Sequence, residues 1–186
     1  MICEIAWTTV QLMELGAWTT TAVRHIRQEL RADPSWTELL TATPSSRSVH
    51  LAVFVEPFLS YVLDGVKTIE SRFSKNQCAP FKRIQAGDIV LLKAASGPVR
   101  GICQVAKTWF FDLRSVPLLS VRERFGEAIC ATDDEFWDAR VNAEYATLLK
   151  LQRIRALEPL VCPKRDRRGW VVLRGQTSPI PMAYSS

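Results

Sequence analysis

Gly65-Val66-Lys67-Thr68-Ile69-Glu70-Ser71-Arg72 is the stretch on which the reading of this chain turns. Its charges are dense and of mixed sign, and they directly follow an apolar segment, Glu56 to Asp64. In that segment Phe58, Leu59, Val62 and Leu63 have helical spacing, and Pro57 suits a first-turn position. Gly65 reads as the helix stop. Thr68 to Phe73 alternates and carries β-branched residues, so it reads as a short strand. On a regular strand Thr68, Glu70 and Arg72 share one face and Lys67 points the other way, unless the chain is still turning after Gly65.

Read alone, such a strand is a solvated edge whose Glu70–Arg72 pair contributes under about 1 kcal/mol. The neighbouring segments change that reading. His50 to Val55 is an apolar strand. In Ala86-Gly87-Asp88-Ile89-Val90-Leu91-Leu92-Lys93, Ile89 to Leu92 reads as a strand that follows Gly87 and Asp88. Val99-Arg100-Gly101-Ile102-Cys103-Gln104-Val105 is the next strand, joined to it through Ser96-Gly97-Pro98 as a hairpin-like connection. With these strands around it, the pattern Gly-x-Lys-x-x-Glu-x-Arg after a short helix resembles the signature of the ASCH family, whose domain is related to the PUA-like fold. The resemblance covers about residues 49 to 175 and says little about residues 1 to 48.

The resemblance implies an α+β fold: a PUA-like, curved β-barrel with flanking helices and a cleft beside the signature. It also implies binding of RNA or a nucleotide. One enzymatic branch of the family hydrolyses N4-acetylcytidine with a lysine and a threonine of the signature and a further glutamate. Here Lys67 takes the lysine position, but Glu70 stands where that branch has its threonine, with Thr68 nearby. RNA cleavage is another activity reported in the family.

Composition sets the outer limits. The 186 residues are 47% hydrophobic and 23% charged, ordinary for a globular protein. No apolar run approaches the roughly 20 residues that span a bilayer. The start, Met1-Ile2-Cys3-Glu4, lacks the basic and apolar regions of a signal peptide, so the expected location is cytoplasmic. Five scattered cysteines and two histidines give neither a disulfide framework nor a metal site, and no cofactor is expected. Charge is uneven. Residues 1–48 hold four Lys/Arg against five Asp/Glu, and residues 49–186 hold twenty against fourteen. The ASCH-like part is the basic part, which suits phosphate-bearing partners.

Three segments follow: 1–48, a helical extension with a linker; 49–175, the ASCH-like domain; and 176–186, a loosely held tail. In the first, Thr19-Thr20-Thr21 precedes an amphipathic helix, Ala22 to Leu30, with Val23, Ile26 and Leu30 on one face. Asp33 is a natural N-cap for a second short helix, Trp36 to Leu40. Trp7, Trp18 and Trp36 are packing residues or a face for a protein partner. Further on, Val116 to Ile129 reads as a helix. Another begins at Thr132, with Thr132 and Glu135 at capping-box spacing, and runs through Phe136, Trp137, Val141 and Tyr145. Phe136, Trp137, Arg140 and Tyr145 make an aromatic face with one cation: a packing face, or a stacking wall for a base. Leu149 onward alternates as a strand, and Val171 to Leu173 is the last strand. Between these two, Lys164-Arg165-Asp166-Arg167-Arg168 is a basic loop suited to phosphate contact.

The candidate site is therefore one cleft lined by Lys67, Glu70 and Arg72, with Lys164, Arg165 and Arg168 at its rim. As a binding module it takes RNA or a nucleotide. As a metal-independent hydrolase or ribonuclease it uses Glu70 as acid or base and Lys67 and Arg72 to stabilise negative charge. A third reading gives the N-terminal helices a protein-interaction role.

Overall fold

The computed structural model describes residues 9–41 and 47–175. Eleven elements run in the order α1 (Thr9–Glu29), α2 (Pro34–Thr41), β1 (Val49–Phe54), α3 (Phe58–Leu63), β2 (Ile69–Ser74), β3 (Ile89–Ala94), β4 (Val99–Asp112), α4 (Leu118–Ile129), α5 (Asp134–Asp138), β5 (Tyr145–Leu160) and β6 (Trp170–Arg174). The six strands form one sheet in the order β2-β5-β4-β3-β1-β6. β1 and β3 are parallel, in register from Val49↔Ile89 to Phe54↔Ala94, and every other pairing is antiparallel. The sheet curls into a half-barrel, an α+β architecture.

Both faces of the central strands are covered, which is why β1 and β3 read as near-continuous apolar runs rather than alternating ones. On one face Val49, Leu51, Ile89, Leu91 and Ile102 meet Ile26 of α1 and Trp36, Leu39 and Leu40 of α2. On the other, Ala52, Phe54, Val90, Leu92, Cys103 and Val105 enclose Leu59 and Val62 of α3. A third cluster packs α4 and α5 through Val121, Phe125, Ile129 and Trp137 onto Ile69, Ala146 and Leu148. Cys103 is a small buried strand residue, and burial pushes its thiol pKa far up.

The Gly-Asp turn is a structural lock. Asp88 Oδ1 accepts from the Ser48 amide at 2.9 Å, and Oδ2 accepts from the Gln85 amide at 2.9 Å. His50 Nε2 lies 3.3 Å from the same Oδ2, while its Nδ1 accepts from Trp170 Nε1 at 3.2 Å. The hydrogen of the neutral ring is therefore on Nε2, pointing at Asp88. One carboxylate so ties the entry of β1 to that of β3 and, through His50, to β6.

Three expectations about helices need correction. The Thr19–Thr21 run does not precede the first helix but lies within it: their hydroxyls donate to the carbonyls of Leu15, Gly16 and Ala17, four residues back. The buried face is Leu15, Thr19, Ala22, Ile26 and Leu30, with Val23 at its margin. The helix expected from Thr132 to Tyr145 stops at Asp138; its N-cap is Asp133, whose Oδ1 accepts from the Phe136 amide at 2.8 Å, and Tyr145 opens β5. Beyond Asp138 the chain has little apolar surface to bury, and Val141 is 71% exposed.

α1 and α2 pack on the molecule's own sheet. Trp36 is fully buried, and Trp18 Nε1 donates to the Val161 carbonyl at 2.7 Å. Asp33 caps α2 through Ser35 and binds the Arg155 guanidinium of β5; these bonds hold its carboxyl at about 2. Trp7, most of the expected linker and the 176–186 tail lie outside the described residues. Among the described residues no helix is long and apolar enough to cross a membrane, and no group of three His, Cys, Asp or Glu could hold a metal ion.

Candidate functional site

Gly65 adopts φ +74°, and the chain is still turning through Lys67, whose amide donates to the Tyr61 carbonyl at 2.9 Å. That turn brings Lys67 to the same side as Glu70 and Arg72. All three line one cavity of about 410 Å³, together with Val53 and Val55 from the end of β1, Phe58 of α3, Ser71 and Phe73 of β2, and Phe136, Ala139 and Arg140 from α5 and the turn after it.

One wall is charged and tightly tied. Lys67 is 2% exposed. Its Nζ donates to the carbonyls of Ile69 at 2.8 Å and Ile129 at 2.9 Å and sits 3.4 Å from Glu70 Oε2. Those three acceptors match the three hydrogens of an ammonium. Burial lowers the pKa of Lys67, and the Glu70 carboxylate opposes that shift. Glu70 is buried, and its Oε1 lies 2.7 Å from Arg72 Nε. Arg72 reaches across the curl: Nη2 donates to the Val53 carbonyl at 2.9 Å and Nη1 to the Gly169 carbonyl at 3.2 Å. Its guanidinium lies between the rings of Phe54 and Trp170, 5.1 and 5.3 Å from their centroids. Arg72 on edge strand β2 thus clasps β1 and the residue before edge strand β6, holding the two ends of the curled sheet together.

The facing wall is aromatic. Phe136 meets Phe58 and Phe73 edge-on at 5.9 and 6.2 Å. The Arg140 guanidinium carbon lies over Phe136, 3.4 Å from the ring centroid, and 5.6 Å from that of Phe73. Its Nη1 donates to the Phe136 carbonyl. Among the described residues no acceptor meets its Nε or Nη2, and partial burial lowers its pKa. The aromatic face expected from the sequence is therefore divided. Phe136 and Arg140 line the cavity, Trp137 is in the core with Nε1 on the Ala131 carbonyl, and Tyr145 packs on Phe81 elsewhere. Phe58 and Phe73 join the wall without having been singled out, because the fold, not the sequence, brings α3 and β2 opposite α5.

The basic loop is placed differently from the signature. Lys164 turns inward, its Nζ 3.2 Å from Asp166 Oδ1 and donating to the Asp166 carbonyl. Arg168 Nε lies 3.2 Å from the same carboxylate, and its backbone amide donates to that oxygen at 2.7 Å. Arg165 is exposed. None of the three is among the residues lining the 410 Å³ cavity; the loop approaches the site through Gly169, which the Arg72 clasp holds.

No protein-family model matches this sequence, and no curated protein matches it. Solved structures do. The chain is similar to the crystal structure of ASCH from Zymomonas mobilis, with 14% identity, TM-score 0.53, and coverage of 71% of this chain and 90% of that one. Two single-residue variants of that protein give the same picture. A serine-to-alanine variant has TM-score 0.55 at 14% identity over 70% and 91% of the two chains. A tyrosine-to-phenylalanine variant has TM-score 0.53 at 15% identity over 69% and 91%. At such identities the likeness is one of fold: this chain has the fold of the ASCH structure.

Proposed function

We propose that the cavity beside the signature is a binding site for RNA or a nucleotide, with one base held at the aromatic wall. The observation that carries this reading is Arg140. It is stacked on Phe136, keeps two nitrogens unengaged, and faces a site that already contains a buried carboxylate. A guanidinium plane and aromatic faces are the surfaces on which unpaired bases stack. The volume is within the usual range for small-ligand sites. Lys67, Arg72 and Arg140 outnumber Glu70, so the site is net positive and favours a phosphate-bearing ligand. Glu70 uses each oxygen once and keeps lone pairs for the amino group of a base.

The hydrolase alternative keeps Glu70 as acid or base, but Lys67 is engaged by two carbonyls that it would have to leave. The protein-partner reading meets helices whose Trp18 and Trp36 already pack on the molecule itself. Fluorescence anisotropy with labelled RNA octamers and a panel of nucleotides tests the proposal. Arg140→Ala and Phe136→Ala each weaken binding by roughly tenfold, since a stacked base is worth about 1–3 kcal/mol. Affinities within about twofold of the parent would remove the site from consideration. Incubation of the same RNAs and of N4-acetylcytidine without added metal separates binding from turnover.

A further inference from the structure

On the face of the sheet covered by α1, four arginines converge with no carboxylate among them. Arg24 and Arg27, one turn apart on α1, line a cavity of about 420 Å³ with Thr19, Thr20 and Arg174 at the end of β6. Arg27 and Arg174 also line an adjoining cavity of about 30 Å³, as does Arg47. Among the described residues no Asp or Glu lines either one. The Arg174 Nε is shielded from solvent and makes no hydrogen bond among the described residues. Arg27 donates one nitrogen to the Leu40 carbonyl, Arg47 donates one to the Leu39 carbonyl, and Arg24 has no partner among the described residues. Burial and the charge of Arg27 both lower the pKa of Arg174, so the two guanidiniums act on each other. Like charges gathered without a counter-charge, around an open cavity and a buried donor with nothing to bind, are a site for an anion.

We propose that Arg24, Arg27 and Arg174 form a phosphate-binding site, with Arg47 on the adjoining cavity, on the opposite face of the sheet from the aromatic cleft. The planar, forked donors of arginine suit the oxygens of a phosphate. The occupant is either a small phosphate compound or the phosphodiester backbone of an RNA; the second source rests on the proposed RNA reading of the cleft.

The test uses the full chain, isotope-labelled at the arginine side chains, titrated with inorganic pyrophosphate and separately with oligouridylate. Pyrophosphate shifts the Arg174 Nε–H resonance, which Arg174→Gln identifies by its disappearance. Arg24→Gln combined with Arg174→Gln weakens pyrophosphate binding by about tenfold or more. Arg124→Gln, which removes one such charge from α4, changes it by less than about twofold. Displacement of pyrophosphate by oligouridylate supports a backbone occupant. Pyrophosphate binding without displacement supports a small phosphate compound, and leaves the site standing if the cleft reading fails. Exposed Arg24→Gln alone carries the test should the double variant not fold. A titration that leaves the Arg174 resonance in place, or an equal loss with Arg124→Gln, overturns the proposal.

Discussion

Replacing Glu70 by glutamine removes one negative charge from a buried group whose other two members are cations. Lys67 keeps its two carbonyl acceptors but loses its counter-charge at 3.4 Å. Arg72 loses the anionic partner of its Nε at 2.7 Å and keeps the carbonyls of Val53 and Gly169. Breaking a buried pair by removing one partner costs about 3–5 kcal/mol, because the other charge stays buried. Glutamine retains an acceptor oxygen and Arg72 is 21% exposed, so the lower end, about 3 kcal/mol, is expected. For a chain of this size that lowers the unfolding midpoint by about 6–12 °C.

The loss also depends on pH. Burial lowers the pKa of Lys67 and Glu70 holds it up, so in the variant it falls further. Between the lowered folded value and the ordinary value of 10.5, the unfolded chain binds more protons than the folded one, and stability rises with pH. That window opens at lower pH in the variant than in the parent, so the deficit is largest near neutrality and narrows toward pH 10. Urea unfolding of both proteins at about pH 7 and about pH 9.5 measures it. A deficit below about 1 kcal/mol, as for an exposed pair, or one that grows with pH, refutes the reasoning.

Arg72→Lys keeps the charge but not the fork that reaches two carbonyls. It should cost about 2 kcal/mol, read as a midpoint lower by roughly 4–8 °C in a thermal melt. Gly101→Ala places a methyl 2.6 Å from Leu63 Cδ2 and 3.0 Å from the Arg155 carbonyl, a backbone atom that cannot turn aside. An overpacking loss of about 1–3 kcal/mol is expected in the same unfolding assay, with no change in RNA affinity.

The strands were legible because their apolar runs are short and bounded by Gly, Pro and Asp turns. Asp33 as a cap, the β3–β4 hairpin and the last strand fall where the residues put them. Lys67 was ambiguous because strand alternation holds only for regular backbone, and the positive φ of Gly65 decided which face it joined. The helix beyond Thr132 was overextended because Tyr145 fits a helical stripe as well as a strand. What settles it is pairing with Asp112 across β4 and the Phe81 ring, both distant in sequence. The charge run at Lys164 gave no hint that Asp166 would draw Lys164 inward. Arg174 carried no signal, since its isolation depends on α1 lying over β6.

The same contacts that make the signature readable restrict what it can do. Lys67 has its three acceptors, and Arg72 is spread over two carbonyls, a carboxylate and two rings. A phosphate could take Lys67 only by displacing the Ile69 and Ile129 carbonyls, and Arg72 only by breaking the clasp that joins β2 to β1. The signature is therefore first a closing device, and it presents to the cavity chiefly the spare lone pairs of Glu70. In the proposed reading, affinity comes from the other wall, where Arg140 has donors to give and Phe136 a face to share. Glu70 then selects among bases by their amino groups. Affinity and selectivity so reside on separate elements, and variants of Arg140 and of Glu70 should move them separately.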